Sequence, residues 1–146
     1  MKHLNTFVMS MGSNENSAMN FLRAKKLLDR WLPNLSYSTP MTSCAYGYPD
    51  DANPFKDIII IGYTSLSRQS LGKRLKEIET LCGRKRNDFK SNAYCKPMPI
   101  DIDILIWNGI PVKIKDLHRP YVIKGLHSLG IKQYDKLIEY ITMKYA

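Results

Sequence analysis

Apolar and polar residues alternate with period two over residues 6–11, where Phe7, Met9 and Met11 stand against Val8 and Ser10; this predicts a first strand. Gly12, Ser13 and Asn14 form a turn cluster after it. Asn14 or Asn16 is placed to cap a helix, with Glu15 adding negative charge to its first turn. Ala18, Phe21, Ala24, Leu28, Trp31 and Leu32 then recur at helical spacing until Pro33. Residues 35–44 have strand composition but contain Pro40, which predicts an edge position or a bulge. A loop over residues 45–54 leads to a strand at 57–64, whose unbroken run Ile58 to Ile61 predicts burial on both faces. A second helix spans 65–82 with Leu71, Leu75, Ile78 and Cys82 inward and Gly83 as the stop. Lys73, Arg74 and Lys76 fall off that stripe and read as its solvated face.

A polar segment at 83–96 feeds a further strand at 99–109. Strict alternation there puts Ile100, Ile102, Ile104 and Ile106 on one face and Asp101, Asp103, Leu105 and Trp107 on the other. A short strand at 111–115, the polar stretch 116–119 and an end helix at 133–144, with Leu137, Ile138, Ile141 and Tyr145 inward, complete the chain. The order strand, helix, strand, strand, helix, strand predicts an α+β, ferredoxin-like βαββαβ domain over residues 1–146. Its sheet is expected to be mostly antiparallel with helices on one face, plus the C-terminal helix.

The unusual feature is the pair of aspartates on one strand face. Residues i and i+2 have Cα atoms roughly 6.6 Å apart, and two like charges so placed need a positive partner or full hydration. A two-metal phosphoryl-transfer site and a solvent-facing edge both satisfy that requirement. Arg84, Lys85, Arg86, Lys90 and Lys96 lie in the segment leading into this strand, so cations and carboxylates converge on one end of the sheet. That convergence favours a metal-bound polyphosphate.

Composition narrows the partners only in part. The chain has 146 residues, 44% hydrophobic and 24% charged, in the range of an ordered globular domain. A net charge of +9 implies an anionic partner. No apolar run is long enough for a membrane span and no secretory h-region is present, so a cytoplasmic location and no membrane partner are expected. Cys44, Cys82 and Cys95 form no C-x-x-C pair, and His3, His118 and His127 show no ligand spacing; neither a disulfide framework nor a zinc site is expected.

The motifs M-G-S-N at 11–14, P-F-x-D at 54–57, E-x-x-x-G-R-x-R at 79–86 and I-D-I-D-I-L-I-W-N-G at 100–109 together resemble the 6-hydroxymethyl-7,8-dihydropterin pyrophosphokinase family. That resemblance implies transfer of a pyrophosphoryl group from ATP to a pterin alcohol, with AMP released and two magnesium ions as cofactors. It implies Asp101 and Asp103 as metal ligands, and Arg84, Arg86 and Lys96 as catalytic cations. Glu79, Arg84, Ile104 and Tyr121 would lie in the nucleotide site, and Ser13, Asn14, Phe55 and Asp57 at the acceptor. ATP and a pterin-type molecule are the partners so implied, for a monomer or homodimer, with no nucleic acid expected.

The chain departs from the family pattern near that site. Asp57 stands where the family has an asparagine, and Lys96 is the substitute for an arginine. The loop carries Ala45-Tyr46-Gly47-Tyr48, and Pro120-Tyr121 stands for Pro-His. Lys124-Gly125-Leu126 follows where the family has an arginine and a phenylalanine, leaving Tyr121, Lys124 or His118 to replace lost contacts. Two other readings follow: a degenerate relative that binds Mg-nucleotide or another heterocycle, and a basic module that binds RNA through its sheet, which would require exposed aromatics on central strands.

Overall fold

The computed structural model describes residues 3–43, 53–85 and 97–145. The chain order is β1 (Asn5–Ser13), α1 (Ser17–Trp31), β2 (Ser36–Tyr37), β3 (Met41–Ser43), β4 (Phe55–Thr64), α2 (Arg68–Leu81), β5 (Asp101–Trp107), β6 (Ile110–Pro111), a 3-10 turn (Ile114–His118), α3 (Pro120–Ser128) and α4 (Asp135–Tyr145). The strands form one sheet in the order β2-β4-β1-β5-β6, with β3 also on β4, and every pairing is antiparallel. This is the expected α+β, ferredoxin-like arrangement. β1 lies between β4 and β5, which explains its continuous burial from Phe7 to Ser13.

Pro40 has the effect its chemistry demands. Without an N–H it cannot join the ladder, so the strand expected at 35–44 splits into β2 and β3, both on β4. Ser38 bridges the break: its N–H donates to the Ile59 carbonyl (2.8 Å) and its hydroxyl accepts the Ile59 N–H (2.8 Å).

Helices cover both faces of the sheet, not one. Phe7, Met9, Met11, Ile58 and Ile60 pack with Phe21, Ala24 and Leu28 of α1 and Leu71, Leu75 and Ile78 of α2. Val8, Ile59, Leu105 and Ile106 pack on the other side with Val122 and Leu126 of α3 and Ile138 and Ile141 of α4. α3 is an element beyond those the periodicity predicts. Pro120 occupies the first helical turn, where no N–H is needed. Gly125 lets α3 press on β4: a Cβ there would sit 2.4 Å from Ile59 Cγ1.

A bulge alters the expected alternation in β5. Val8 pairs with Ile106 and Met9 with Ile104, so Leu105 is the extra residue. Leu105 and Ile106 therefore both enter the second core, and Trp107 returns to the first, stacked on Phe7 at 6.4 Å. Three local expectations change, for Ala18, Tyr145 and Glu15, which precedes the N-cap and leaves the first turn of α1 without an acidic residue, while of the two cap candidates Asn16 is the one used. Ala18 is exposed while Asn20 is buried, its amide donating to the Glu15 carbonyl at 2.7 Å. Tyr145 lies at the surface. Asn16, in a left-handed conformation (φ 47°), occupies the helix N-cap.

Candidate active site

Asp101 and Asp103 stand at the start of β5, opposite Gly12 and Ser10 of β1. Burial pushes the Asp103 carboxyl up to about 7; the charge of Asp101 and a hydrogen bond with it add to the rise, Lys113 opposes it and Asp116 adds to it. Arg84, one residue past the C′ Gly83 (φ +101°), places Nη1 2.8 Å from Glu79 and 2.9 Å from Asp101. Glu79 is buried and its carboxylate also accepts the Ile102 N–H at 2.8 Å, so one side chain ties α2 to β5 beside the aspartates. Lys113 Nζ lies 3.6 Å from Asp103.

These groups line a cleft of about 350 Å³, to which Arg68 and Lys76 also contribute. Lys73, Arg74 and Lys76 are exposed, as expected of a solvated face; Lys76 also borders the cleft, and Arg74 lies over the Trp31 ring. The signal was present in the helical spacing of Arg68, Gly72, Lys76 and Glu79, which repeats at four, four and three. Lys113 and Asp116 carried no comparable signal, because the 3-10 turn and the bulge that place them are tertiary features.

A second cleft of about 630 Å³ opens between β3 and α3, lined by Met41, Thr42, Ser43, Pro54, Tyr121 and Lys124. The Ser43 hydroxyl donates to buried Asp57. Burial raises the Asp57 carboxyl to about 6, the Ser43 hydrogen bond opposes the rise, and the charge of Asp101 adds to it. Tyr121 is held protonated, first by burial and then by the charge of Asp57, with Asp116 and Asp103 also contributing and Arg119 opposing. Asp57 and Asp101 flank Gly12 of β1 from the two neighbouring strands.

The remaining expected residues fall as follows. Ile104 lines the first cleft, and half-buried Phe55 starts β4. Gly12 keeps space between strands, since a Cβ on it would lie 3.1 Å from Asp57 Oδ1 and 3.5 Å from Phe55. Asn14 accepts the Met98 N–H (2.6 Å) and donates to the Asn53 carbonyl (3.2 Å), so it ties together the segments that lead into β4 and β5. Ser13 is fully buried and donates to the Glu15 carbonyl at 3.1 Å. His118 stacks near Tyr145. Arg86, Lys96 and the loop Ala45 to Tyr48 lie outside the described residues.

The donor set suits a hard divalent cation. Asp101 and Asp103 offer only oxygen, and the raised Asp103 carboxyl marks a negative charge that gains from neutralisation. Among the described residues no group of three or more His, Cys, Asp or Glu side chains is arranged to hold a metal by itself. Magnesium is ordinarily held by one or two carboxylates together with substrate phosphates, and two aspartates beside a cationic cleft match that habit.

An antiparallel ferredoxin-like sheet thus carries paired carboxylates and a cation-lined cleft at one end. The chain belongs to the 7,8-dihydro-6-hydroxymethylpterin-pyrophosphokinase family, whose model matches residues 8–130. Comparison with curated proteins gives no match. Among the described residues, no helix is long and apolar enough to cross a membrane.

Proposed function

We propose that this chain transfers a pyrophosphoryl group from ATP to the hydroxyl of 6-hydroxymethyl-7,8-dihydropterin and releases AMP. The observation that carries the reading is that Asp57 and Asp101 flank the same residue, Gly12 of β1: Asp101 lines the cationic cleft with Asp103, and Asp57 is held by Ser43, which lines the second cleft with Tyr121. Asp101 and Asp103 are the residues that would hold two magnesium ions, whose chemistry is to neutralise charge on the transferring phosphates. Arg84, Lys113, Arg68 and Lys76 supply positive charge along the polyphosphate path. Ser43 fixes one oxygen of Asp57, leaving that carboxylate to accept hydrogen bonds from donor groups on a heterocycle. Tyr121, held protonated, is available there as a donor. Arg86 and Lys96 are assigned as further phosphate cations by resemblance. Positioning of this kind is most of what phosphoryl-type transfer requires.

Purified chain with ATP, magnesium and the pterin alcohol is expected to form AMP in a pterin-dependent way, and Asp101→Ala or Asp103→Ala to abolish it. Pterin-independent background alone would refute the reading. Asp57 favours one alternative acceptor class: its carboxylate offers acceptors where the family's amide offers both a donor and an acceptor, so a different heterocycle rich in N–H donors is the second reading. RNA binding through the sheet loses its footing, because helices cover both faces.

A further inference from the structure

Each aspartate of the pair is already engaged by a cation of this chain. Arg84 Nη1 sits between Glu79 and Asp101 Oδ1, at 2.8 and 2.9 Å, and Lys113 Nζ faces Asp103 Oδ1 at 3.6 Å. Both cations are held by the backbone around them. The Arg84 N–H donates to the Glu79 carbonyl (3.0 Å), just after the left-handed Gly83 turns the chain out of α2. The N–H groups of Val112 and Lys113 both donate to the carbonyl of Leu105, the bulged residue two positions beyond Asp103 (2.8 and 3.3 Å). The β5 bulge thus brings Lys113 back over the carboxylate pair. The Arg84 side chain is 22% exposed and that of Lys113 51%, so Arg84 holds its partner with less screening.

A divalent ion and a guanidinium compete for the same carboxylate oxygen. We propose that Arg84 and Lys113 are exchangeable counterions: in the unloaded protein they neutralise Asp101 and Asp103, and on loading they give up the carboxylates to divalent cations and move onto the polyphosphate. Cation and polyphosphate binding are then coupled through this chain's own side chains, in addition to their direct attraction. The inference rests on the pyrophosphokinase reading only for the metal–polyphosphate end, and requires nothing of the acceptor.

The test measures Mn²⁺ binding without nucleotide or pterin, by the electron paramagnetic resonance of free Mn²⁺, and metal-free binding of inorganic tripolyphosphate by calorimetry. The proteins are the native chain, Arg84→Gln, Lys113→Met and the double variant Glu79→Gln/Arg84→Gln. The double variant avoids leaving a buried glutamate that has lost its guanidinium, and circular dichroism checks folding. Removing Arg84 alone is expected to tighten Mn²⁺ about tenfold and weaken tripolyphosphate about tenfold; the double variant, which also removes the Glu79 charge, and Lys113→Met are each expected to shift both by about two- to threefold in the same directions. A purely structural Arg84 would not produce opposed shifts. A change in only one of the two affinities, or in neither, overturns the exchange and leaves the pyrophosphokinase reading standing. Absence of saturable Mn²⁺ binding in all four proteins overturns both. Opposed shifts in a chain that forms no pterin-dependent AMP support the exchange and refute the acceptor assignment alone.

Discussion

Replacing Asp103 with asparagine is expected to stabilise the metal-free protein while removing its activity. In the folded chain the Asp103 carboxyl is raised from an ordinary 3.8 to about 7, chiefly by burial and by Asp101. The folded state therefore keeps a proton that the unfolded chain releases between those values, and native stability falls as pH rises from about 4 to about 7. Below pH 4 the group is protonated in both states and costs nothing; above 7 the penalty is complete. The gap between the two values bounds that penalty at ~4 kcal/mol. An amide escapes the penalty, in which the Lys113 attraction across 3.6 Å is already counted, and keeps a hydrogen-bonding group beside Asp101, at the cost of burying an uncharged polar side chain. A net gain of ~1–2 kcal/mol at pH 8 remains, equivalent to roughly 3–6 °C in Tm for a chain of this size. Thermal unfolding followed by circular dichroism in EDTA, at half-unit steps from pH 4 to 8.5, measures it. The advantage of Asp103→Asn should open through this window and level off above it. An advantage independent of pH, or a loss of Tm at pH 8, would refute the account of Asp103 as a buried charge kept for function.

Three further outcomes follow from the same geometry. Glu79→Ala removes the acceptor of both the Arg84 and Ile102 hydrogen bonds and is expected to cost ~2–4 kcal/mol in urea unfolding, with Glu79→Gln costing less; a loss under 1 kcal/mol would show that this buried link is not structural. Gly125→Ala drives a methyl into Ile59 at 2.4 Å and should cost ~1–3 kcal/mol by the same assay, a neutral result meaning that α3 can lift from β4. Asp57 reaches its acceptor-only form as pH rises through about 6, so the KM for the pterin should climb ~10-fold per pH unit below 6 and be flat across that range in Asp57→Asn; the same slope in both proteins would remove Asp57 from acceptor binding.

The alternation in β1, the isoleucine run of β4 and the helical stripes of α1 and α2 were legible in the sequence, because each depends on local periodicity set by backbone geometry. The Asp pair and its family motifs were legible for a different reason: their chemistry needs particular residue types at adjacent positions. The second helical layer was not legible, since α3 begins with a proline and carries a glycine whose purpose is contact with Ile59, 66 positions earlier in the chain. Nor was the extra residue in β5, which arises from pairing with β1 and leaves no mark on the local pattern. That bulge sends Ile106 and Trp107 to opposite faces from those expected, and its carbonyl brings Lys113 to Asp103. Local sequence determined which carboxylates this protein carries and on which strand. Only the tertiary structure decided which cations answer them, because charge partners are chosen by distance in space and not along the chain.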